Sequence, residues 1–194
     1  HRQGCDMKLL EVAQPQFSPE LVKYLTDLHL LDMTTLSPSG GLIVEGDVDL
    51  PEHETSIRFP FESVTGYFDC SGTKITSLEN APLHVGNHLY CNRTNIASLE
   101  HVPQVIDGNV YIRGTKITSL KGIHKTHRNW KIGGILFVPY ACTDIIGLAL
   151  IPGIKTVQAG PDSANRIAFD ISDNDPHSFQ EKLLDAGMKA QARM

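Results

Sequence analysis

The sequence lacks the features by which membrane and nucleic-acid-binding proteins are usually detected. No apolar stretch approaches the length of about 20 residues that a transmembrane helix needs. The chain of 194 residues has a net charge of −5 and a pI near 6.0. Its lysines and arginines are scattered, and no run of them reads as the basic patch that nucleic acids or anionic membranes attract. The sequence therefore predicts neither a membrane span nor a nucleic-acid partner.

Cysteine is scarce, and its spacing excludes the common zinc and redox motifs. The chain has four cysteines and no C-x-x-C pair. Cys70 and Cys91 lie 21 residues apart, and Ile112 occupies the same place one period later. We interpret both cysteines as small buried thiols of the core, and we expect a reducing cytoplasm as the compartment.

Motifs for catalysis and for cofactor binding are also missing. The sequence has no nucleophile elbow and no glycine-rich phosphate loop. The pairs His84 with His88 and His124 with His127 suit a metal only if each pair shares one helical face. His84 follows Pro82 in a predicted turn and His88 enters a predicted strand, so we interpret these histidines as solvated polar residues. The sequence predicts no catalytic residue, no metal site and no cofactor.

What the sequence does contain is a repeat of 21 residues over positions 64–120. Three segments align: VTGYFDCSGTKITSLENAPLH, VGNHLYCNRTNIASLEHVPQV and IDGNVYIRGTKITSLKGIHKT. A fixed period of this length is typical of a stacked solenoid. The pattern F-x-C-x-x-T-x-I in each coil fits the strand of a leucine-rich repeat. Pro82 and Pro103 disfavour a regular helix on the return side, where we expect an extended or one-turn connection.

Strand alternation divides the side chains of each coil into an inward and an outward set. Phe68, Cys70 and Ile75 are inward, and Thr73 is expected to bond backbone groups across the turn. The outward side chains form two rows along one narrow parallel sheet, and they change from acidic to aromatic along the stack. The first row is Asp47, Tyr67, His88, Asn109 and Ile135, and the second is Asp49, Asp69, Tyr90, Tyr111 and Phe137, with Asn92 and Arg113 just beyond.

Helix signals flank the repeat on both sides. Ser18 as N-cap and Pro19 in the first turn predict a helix over 17–31. Asp175 and Pro176 predict a final helix whose apolar face carries Phe179, Leu183 and Leu184. The strand motif returns 26 residues after Ile112 instead of 21, so residues 122–130 contain an insertion of about one helical turn. A short apolar helix is predicted over 143–150 and a strand over 154–157, while residues 166–172 fit either a strand or a helix.

The predicted organisation has four parts. Residues 1–6 are interpreted as the remains of an expression tag before Met7, followed by an N-terminal helical cap over 7–41. A solenoid of about four to five coils occupies 42–140, and a C-terminal cap with helices occupies 141–194. The predicted fold class is therefore an α/β repeat, a short leucine-rich-repeat-like solenoid with a parallel sheet and helices at both ends.

At the level of whole motifs, the chain resembles leucine-rich-repeat-like proteins of unassigned function that tailed bacteriophages encode. The resemblance covers the N-terminal helix, the GDVDL opening, the GYFDC…TSLE…AP…VG coils, the GIHK and IGG motifs and the closing SFQEKLLDAGMKAQAR. It implies a phage origin and a solenoid fold. It implies no catalytic residues, because none is established for that family.

We predict a non-enzymatic protein-interaction module that binds and modulates a host or defence protein in the host bacterial cytoplasm. Exposed tyrosines offer a large contact area at low entropic cost. The alternative interpretation of the tyrosines is that they only cover the sheet through cross-strand pairing. The alternative function is a structural virion component, such as a decoration or tail-associated protein, and an enzyme with an unfamiliar polar cluster is a third hypothesis. The predicted partner-binding residues are Asp49, Tyr67, Asp69, His88, Tyr90, Tyr111, Arg113 and Phe137.

Overall fold

Successive coils of the chain contribute one strand to each of two parallel sheets. The computed structural model describes residues 17–139, 142–160 and 164–193, so the predicted tag at 1–6 and the start at Met7 lie outside the described residues. The two sheets form a parallel β-solenoid of about five turns with a period of about 21 residues. The repeat had predicted this period and a solenoid with a parallel sheet, but it had predicted one narrow sheet where the structure has two.

The first sheet has six strands, and only its first pair is antiparallel. In spatial order the strands are β1 (Thr34–Leu36), β2 (Leu42–Val44), β4 (Phe61–Val64), β6 (His84–Val85), β8 (Val105–Ile106) and β10 (Lys131–Ile132). Pro82 and Pro103 precede β6 and β8, which confirms the extended return connection. The sequence did not predict that these connections pair into a sheet, because a strand of two residues is too short to show an alternating pattern.

The second sheet has seven strands and carries the predicted outward rows. In spatial order the strands are β3 (Val48–Asp49), β5 (Phe68–Asp69), β7 (Leu89–Tyr90), β9 (Val110–Tyr111), β11 (Ile135–Phe137), β12 (Thr156–Ala159) and β13 (Ile167–Asp170). Strand β12 begins two residues later than predicted. The ambiguous segment 166–172 contains β13, which runs antiparallel to β12.

A single apolar core lies between the two sheets. Its inward side chains are Val64, Val85, Ile106 and Ile132 from the first sheet and Phe68, Leu89, Val110 and Leu136 from the second. Cys70 and Cys91 are fully buried neighbours in this core, with 3.4 Å between their sulfur atoms. The hydrogen bond to Cys91, together with burial, raises the pKa of the Cys70 thiol well above its ordinary value. The interpretation of both cysteines as buried core thiols is confirmed.

Hydrogen bonds from threonine hydroxyl groups stabilise the turn that follows each strand of the second sheet. The hydroxyl of Thr73 donates to the carbonyl of Cys70 at 2.6 Å, and Thr94 donates to the carbonyl of Cys91 at 3.0 Å. Thr115 repeats the bond in the next coil. The predicted role of these threonines is therefore confirmed, and each bond satisfies a carbonyl that the sheet leaves unpaired.

The N-terminal helix, α1 (Pro19–Asp27), is shorter than the predicted span of 17–31. Ser18 caps it as predicted, accepting a hydrogen bond from the amide of Leu21 at 3.2 Å. The helix ends because His29 adopts a left-handed conformation with φ of 58°. The amides of His29 and Leu30 then close a Schellman motif on the carbonyls of Thr26 and Leu25. Histidine is a rare residue at this position, so the sequence carried no clear stop signal.

Three further helical segments lie where the sequence predicted them, although the helix type of one and the buried face of another differ from the prediction. The insertion at 122–130 contains one helical turn, α2 (Ile123–Thr126). The segment predicted as a helix over 143–150 is a 3₁₀ helix over Ile145–Leu150. The final helix, α3 (Pro176–Asp185), is capped by Asp175 as predicted. The assignment of Leu184 to its apolar face was wrong, because the helix buries Phe179 and Leu183 and leaves Leu184 47% exposed.

Candidate binding surface on the second sheet

The strand register brings the predicted outward side chains into one row across the second sheet. Asp49 pairs with Asp69, Asp69 with Tyr90, Tyr90 with Tyr111, and Tyr111 with Phe137. Residues at equal positions of neighbouring parallel strands lie about 4.8 Å apart. The sequence-based alignment of this row is therefore correct, and it places an acidic end beside an aromatic centre.

The aromatic row, by which we mean Tyr90, Tyr111 and Phe137, is a continuous stack of rings. The centroids of Tyr90 and Tyr111 are 4.8 Å apart with an interplanar angle of 10°, and those of Tyr111 and Phe137 are 4.5 Å apart with an angle of 6°. Tyr67 meets Tyr90 edge to face at 5.9 Å. All of these side chains are half-buried. Because the ring faces contact one another, the stack presents ring edges and hydroxyl groups to its surroundings.

Arg113 lies at the far end of the aromatic row. Its guanidinium carbon is 4.5 Å from the centroid of the Phe137 ring, and its Nη2 donates to the Oε1 atom of Gln158 on β12. A guanidinium group over an aromatic face is stabilised by the negative charge density of the ring. This contact fixes a positive charge at one end of the row. Sequence reasoning placed Arg113 near the surface but missed Gln158, whose position depends on the pairing of β12 with β11.

The acidic end of the surface is held by hydrogen bonds to the chain. Asp47 accepts from the amide of Tyr67 at 2.9 Å, and Asp69 accepts from the amide of Ser71 at 2.7 Å. The Tyr67 hydroxyl donates to Asp49 at 2.8 Å, and this bond raises the pKa of Tyr67 to about 12. The three carboxylates therefore form a fixed negative region beside Tyr67.

His88 lies beside the aromatic row and helps to hold the next coil. Its Nδ1 atom accepts from the amide of Asn109 at 2.9 Å, and the Oδ1 atom of Asn109 accepts from the amide of Ile135 at 2.8 Å. The imidazole ring also meets Tyr90 and Tyr111 edge to face, at 5.7 and 6.1 Å. His88 thus supports the stack from one side.

The phenol of Tyr90 is the one hydroxyl of the three outward tyrosines without a hydrogen-bond partner among the described residues. Tyr67 donates to Asp49, and Tyr111 accepts from the Nδ2 group of Asn109 at 3.0 Å. Burial, together with Tyr111 and Asp69, raises the pKa of Tyr90. Tyr90 therefore keeps its proton at neutral pH and offers a hydrogen-bond donor at the centre of the surface.

We expect the raised pKa of Tyr67 to depend on Asp49. Replacing Asp49 by Ala should return the ionisation midpoint of Tyr67 from about 12 towards its ordinary value of 10. A raised folded-state pKa stabilises the fold below the ordinary pKa, and that contribution is lost as the pH rises through about 12. The absorbance of tyrosinate soon after a jump in pH measures the midpoint, and a Tyr67→Phe difference spectrum assigns it to Tyr67.

The matched control for this titration is Asp32→Ala, which removes an exposed carboxylate outside the surface. Asp32→Ala should leave the Tyr67 midpoint unchanged. An unchanged midpoint in Asp49→Ala would show that the bond between Tyr67 and Asp49 is not populated in solution.

Three of the four histidines that the sequence raised as metal ligands are hydrogen-bonded to other groups, whereas the Nδ1 atom of His124 is buried without a hydrogen-bond partner among the described residues. The Nε2 atom of His84 lies 3.0 Å from the Oδ2 atom of Asp107, and the Nε2 atom of His127 lies 2.9 Å from the carbonyl of Leu99. Within residues 17–139, 142–160 and 164–193, no three potential ligand side chains come together as a metal site.

Within residues 17–139, 142–160 and 164–193, no helix combines the length and the apolar character needed to cross a membrane.

The geometry defines a parallel β-solenoid whose second sheet carries a half-buried aromatic row between acidic and basic ends. A scan of the chain against protein-family models finds no match, and searches of curated proteins and of solved structures find no similar chain. The phage origin and the membership of a leucine-rich-repeat family therefore remain predictions.

Proposed function

We propose that the protein is a non-enzymatic interaction module that binds a protein partner through the outward face of the second sheet. One observation carries this proposal: Tyr90, Tyr111 and Phe137 form an ordered stack, and the phenol of Tyr90 in that stack has no hydrogen-bond partner among the described residues. Tyrosine is enriched in the energetic centres of protein interfaces, since one side chain supplies both apolar area and a hydrogen bond.

The rigidity of the stack favours binding. Tyr111 is held between two parallel rings, and its hydroxyl is fixed by Asn109. Ordering a free side chain at an interface costs about 0.5–1.5 kcal/mol, and most of that cost is already met for a ring that is stacked before binding. A partner that meets these ring edges therefore keeps a larger share of its contact energy.

The two ends of the aromatic row carry opposite charges. The carboxylates of Asp49 and Asp69 lie at one end of the aromatic row, and the guanidinium group of Arg113 lies at the other. We propose a partner segment that places an apolar side chain against the row and a basic group beside the carboxylates. Complementary charge of this kind fixes the orientation of a partner and raises the association rate.

Three finer parts of the proposal rest on the sequence. The first is the leucine-rich-repeat-like character, which we propose from the sequence pattern of the strands. The second is the partner: on the resemblance to phage proteins, we propose a host or defence protein in the bacterial cytoplasm. The helices α1 and α3 are proposed to cap the ends of the solenoid. Their apolar faces support this role, since Tyr24 of α1 contacts Phe59 at 5.2 Å and Phe179 of α3 contacts Phe169 at 5.7 Å.

The proposal is tested by quantitative capture from bacterial lysate with the full chain and two variants. Tyr90→Arg changes the centre of the surface, and Leu184→Arg introduces the same charge at an exposed apolar side chain of α3. We expect a partner that wild type and Leu184→Arg retain and Tyr90→Arg loses. With the purified partner, Tyr90→Arg should weaken the affinity by about 30-fold or more, as for an interface hot spot.

Thermal melts of both variants separate a loss of binding from a loss of folding. Both should unfold in one cooperative transition, Leu184→Arg within a few degrees of wild type and Tyr90→Arg about 2–8 °C below it. Equal capture of one partner by wild type and Tyr90→Arg would exclude the second sheet as the binding surface, and would leave cross-strand pairing as the role of the tyrosines.

A further inference from the structure

A groove runs along the first sheet, where its strands begin, and it does not involve the aromatic row. It encloses about 760 Å³ and is lined by residues of four coils together with residues 125–130 of the inserted segment. Small-molecule sites have volumes of about 300–1,000 Å³. Insertions in repeat proteins fall on one face, which is often the binding face. The inserted segment therefore forms one wall of this groove.

The floor of the groove is apolar. The register of the first sheet aligns Leu83 with Gln104 and Trp130 at the starts of β6, β8 and β10. Leu83 is 57% exposed, the most exposed large apolar side chain of the described residues, and it lines the groove. Phe61 and Val102 line the same floor. A ligand with an apolar body would remove this surface from water, at a gain of about 25 cal/mol for each Å².

One end of the groove is cationic. Lys125 and Arg128 of the inserted segment line it together with His101, and neither Lys125 nor Arg128 forms an ion pair with any described residue. Between positions 101 and 143 the sequence has six lysines and arginines and one acidic residue, Asp107. This part of the chain therefore has a local excess of positive charge, although the net charge of the whole chain is −5.

The opposite end of the groove is anionic. Glu62 lies there, three strands away from Trp130 in the same row. Hydrogen bonds from Ser37 and Ser39 lower the pKa of Glu62, so the carboxylate is ionised at neutral pH. An anionic ligand group is repelled from this end and attracted to Lys125 and Arg128. A ligand with one anionic end is therefore expected to bind in a single orientation, with that end away from Glu62.

We propose that this groove binds a small organic anion, with an aromatic or branched apolar body against Leu83 and a carboxylate, sulfonate or phosphate group between Lys125 and Arg128. The amides of Gln104 and Asn129 supply further polar contacts along the wall. This site is independent of the proposed protein-binding surface, because it lies on the other sheet and shares none of its residues.

The test uses 8-anilinonaphthalene-1-sulfonate, an organic anion with an aromatic body, as a fluorescent probe of the full chain. Trp130 is the only tryptophan of the chain and lines the groove, so its emission reports on binding directly. The probe should bind at one saturable site, perturb Trp130 emission and be displaced by phenyl phosphate but not by phenol. Raising the salt concentration should weaken binding, because the ion pairs are partly exposed.

Charge-matched variants decide the outcome. Lys125→Gln with Arg128→Gln should lower probe affinity by about tenfold or more, since it removes both charge-assisted contacts. Lys116→Gln with Lys155→Gln removes two exposed lysines outside the groove and should leave the affinity unchanged. Equal affinity in both double variants would overturn the proposal, as would displacement by phenol. Displacement by an acidic peptide but not by phenyl phosphate would overturn it in favour of a peptide site.

Discussion

We expect the Gly86→Ala variant to unfold with a free energy about 2–3 kcal/mol lower than that of the wild-type chain. Gly86 lies at the corner between β6 and β7, and a Cβ atom there would be 2.2 Å from the carbonyl oxygen of Thr65 in the preceding coil. The backbone of residue 86 fixes the position of the Cβ atom, and the Thr65 oxygen is itself a backbone atom, so the clash is relieved only by moving two coils apart. Gly133 has the same relation to Asp107, at 2.1 Å.

The matched control is Asn87→Ala, at the next residue. Asn87 is exposed, and its loss should change stability by less than about 0.5 kcal/mol. Chemical denaturation measures both variants, and in a chain of this length the Gly86 variant should melt about 4–12 °C below wild type. Equal stability of Gly86→Ala and wild type would mean that the coils do not stack as closely as described.

The second large effect is a difference in unfolding free energy: replacing an inward aromatic side chain should destabilise the fold more than replacing an outward one. Phe68→Ala should lower the free energy of unfolding by about 3–5 kcal/mol, because it leaves a cavity at a fully buried position between the sheets. Tyr90→Ala should lower it by about 1–2 kcal/mol, since it removes ring contacts of about 0.5–1.5 kcal/mol each from a half-buried surface. Urea denaturation of both variants gives the comparison.

This difference bears directly on the role of the tyrosines. A row that mainly held the sheet together would lose as much stability from Tyr90→Ala as from Phe68→Ala. A row kept for binding can lose Tyr90 with the fold intact. A cost of 3 kcal/mol or more for Tyr90→Ala would therefore favour cross-strand pairing over the proposed interface.

Much of the second sheet was predictable because the repeat is regular. Phe68, Leu89 and Val110 recur at 21 residues, and strand alternation then fixed which neighbours point outward. The rows Asp69–Tyr90–Tyr111 and Asn109–Ile135 were obtained from this argument alone, and the register agrees with them. Ring planes and hydrogen-bond partners were not predictable, since they depend on side-chain torsions that the period does not contain.

The first sheet and the groove were missed for a different reason. Strand β6 buries only Val85, so the sequence shows no alternation there. His101 and Lys125 are far apart along the chain and line the same groove only because the coils stack. The exposure of Leu184 was likewise not predictable, because it depends on how α3 packs against the rest of the fold and not on local residue preference.

Site-specific photo-crosslinking tests the central claim most directly. A benzophenone side chain is placed at Ile135, beside the aromatic row, at Leu83 in the groove, or at Leu184 on α3. The account predicts that the captured protein partner crosslinks from position 135 and not from positions 83 or 184. Crosslinking from position 83 or 184 without crosslinking from position 135 would contradict it.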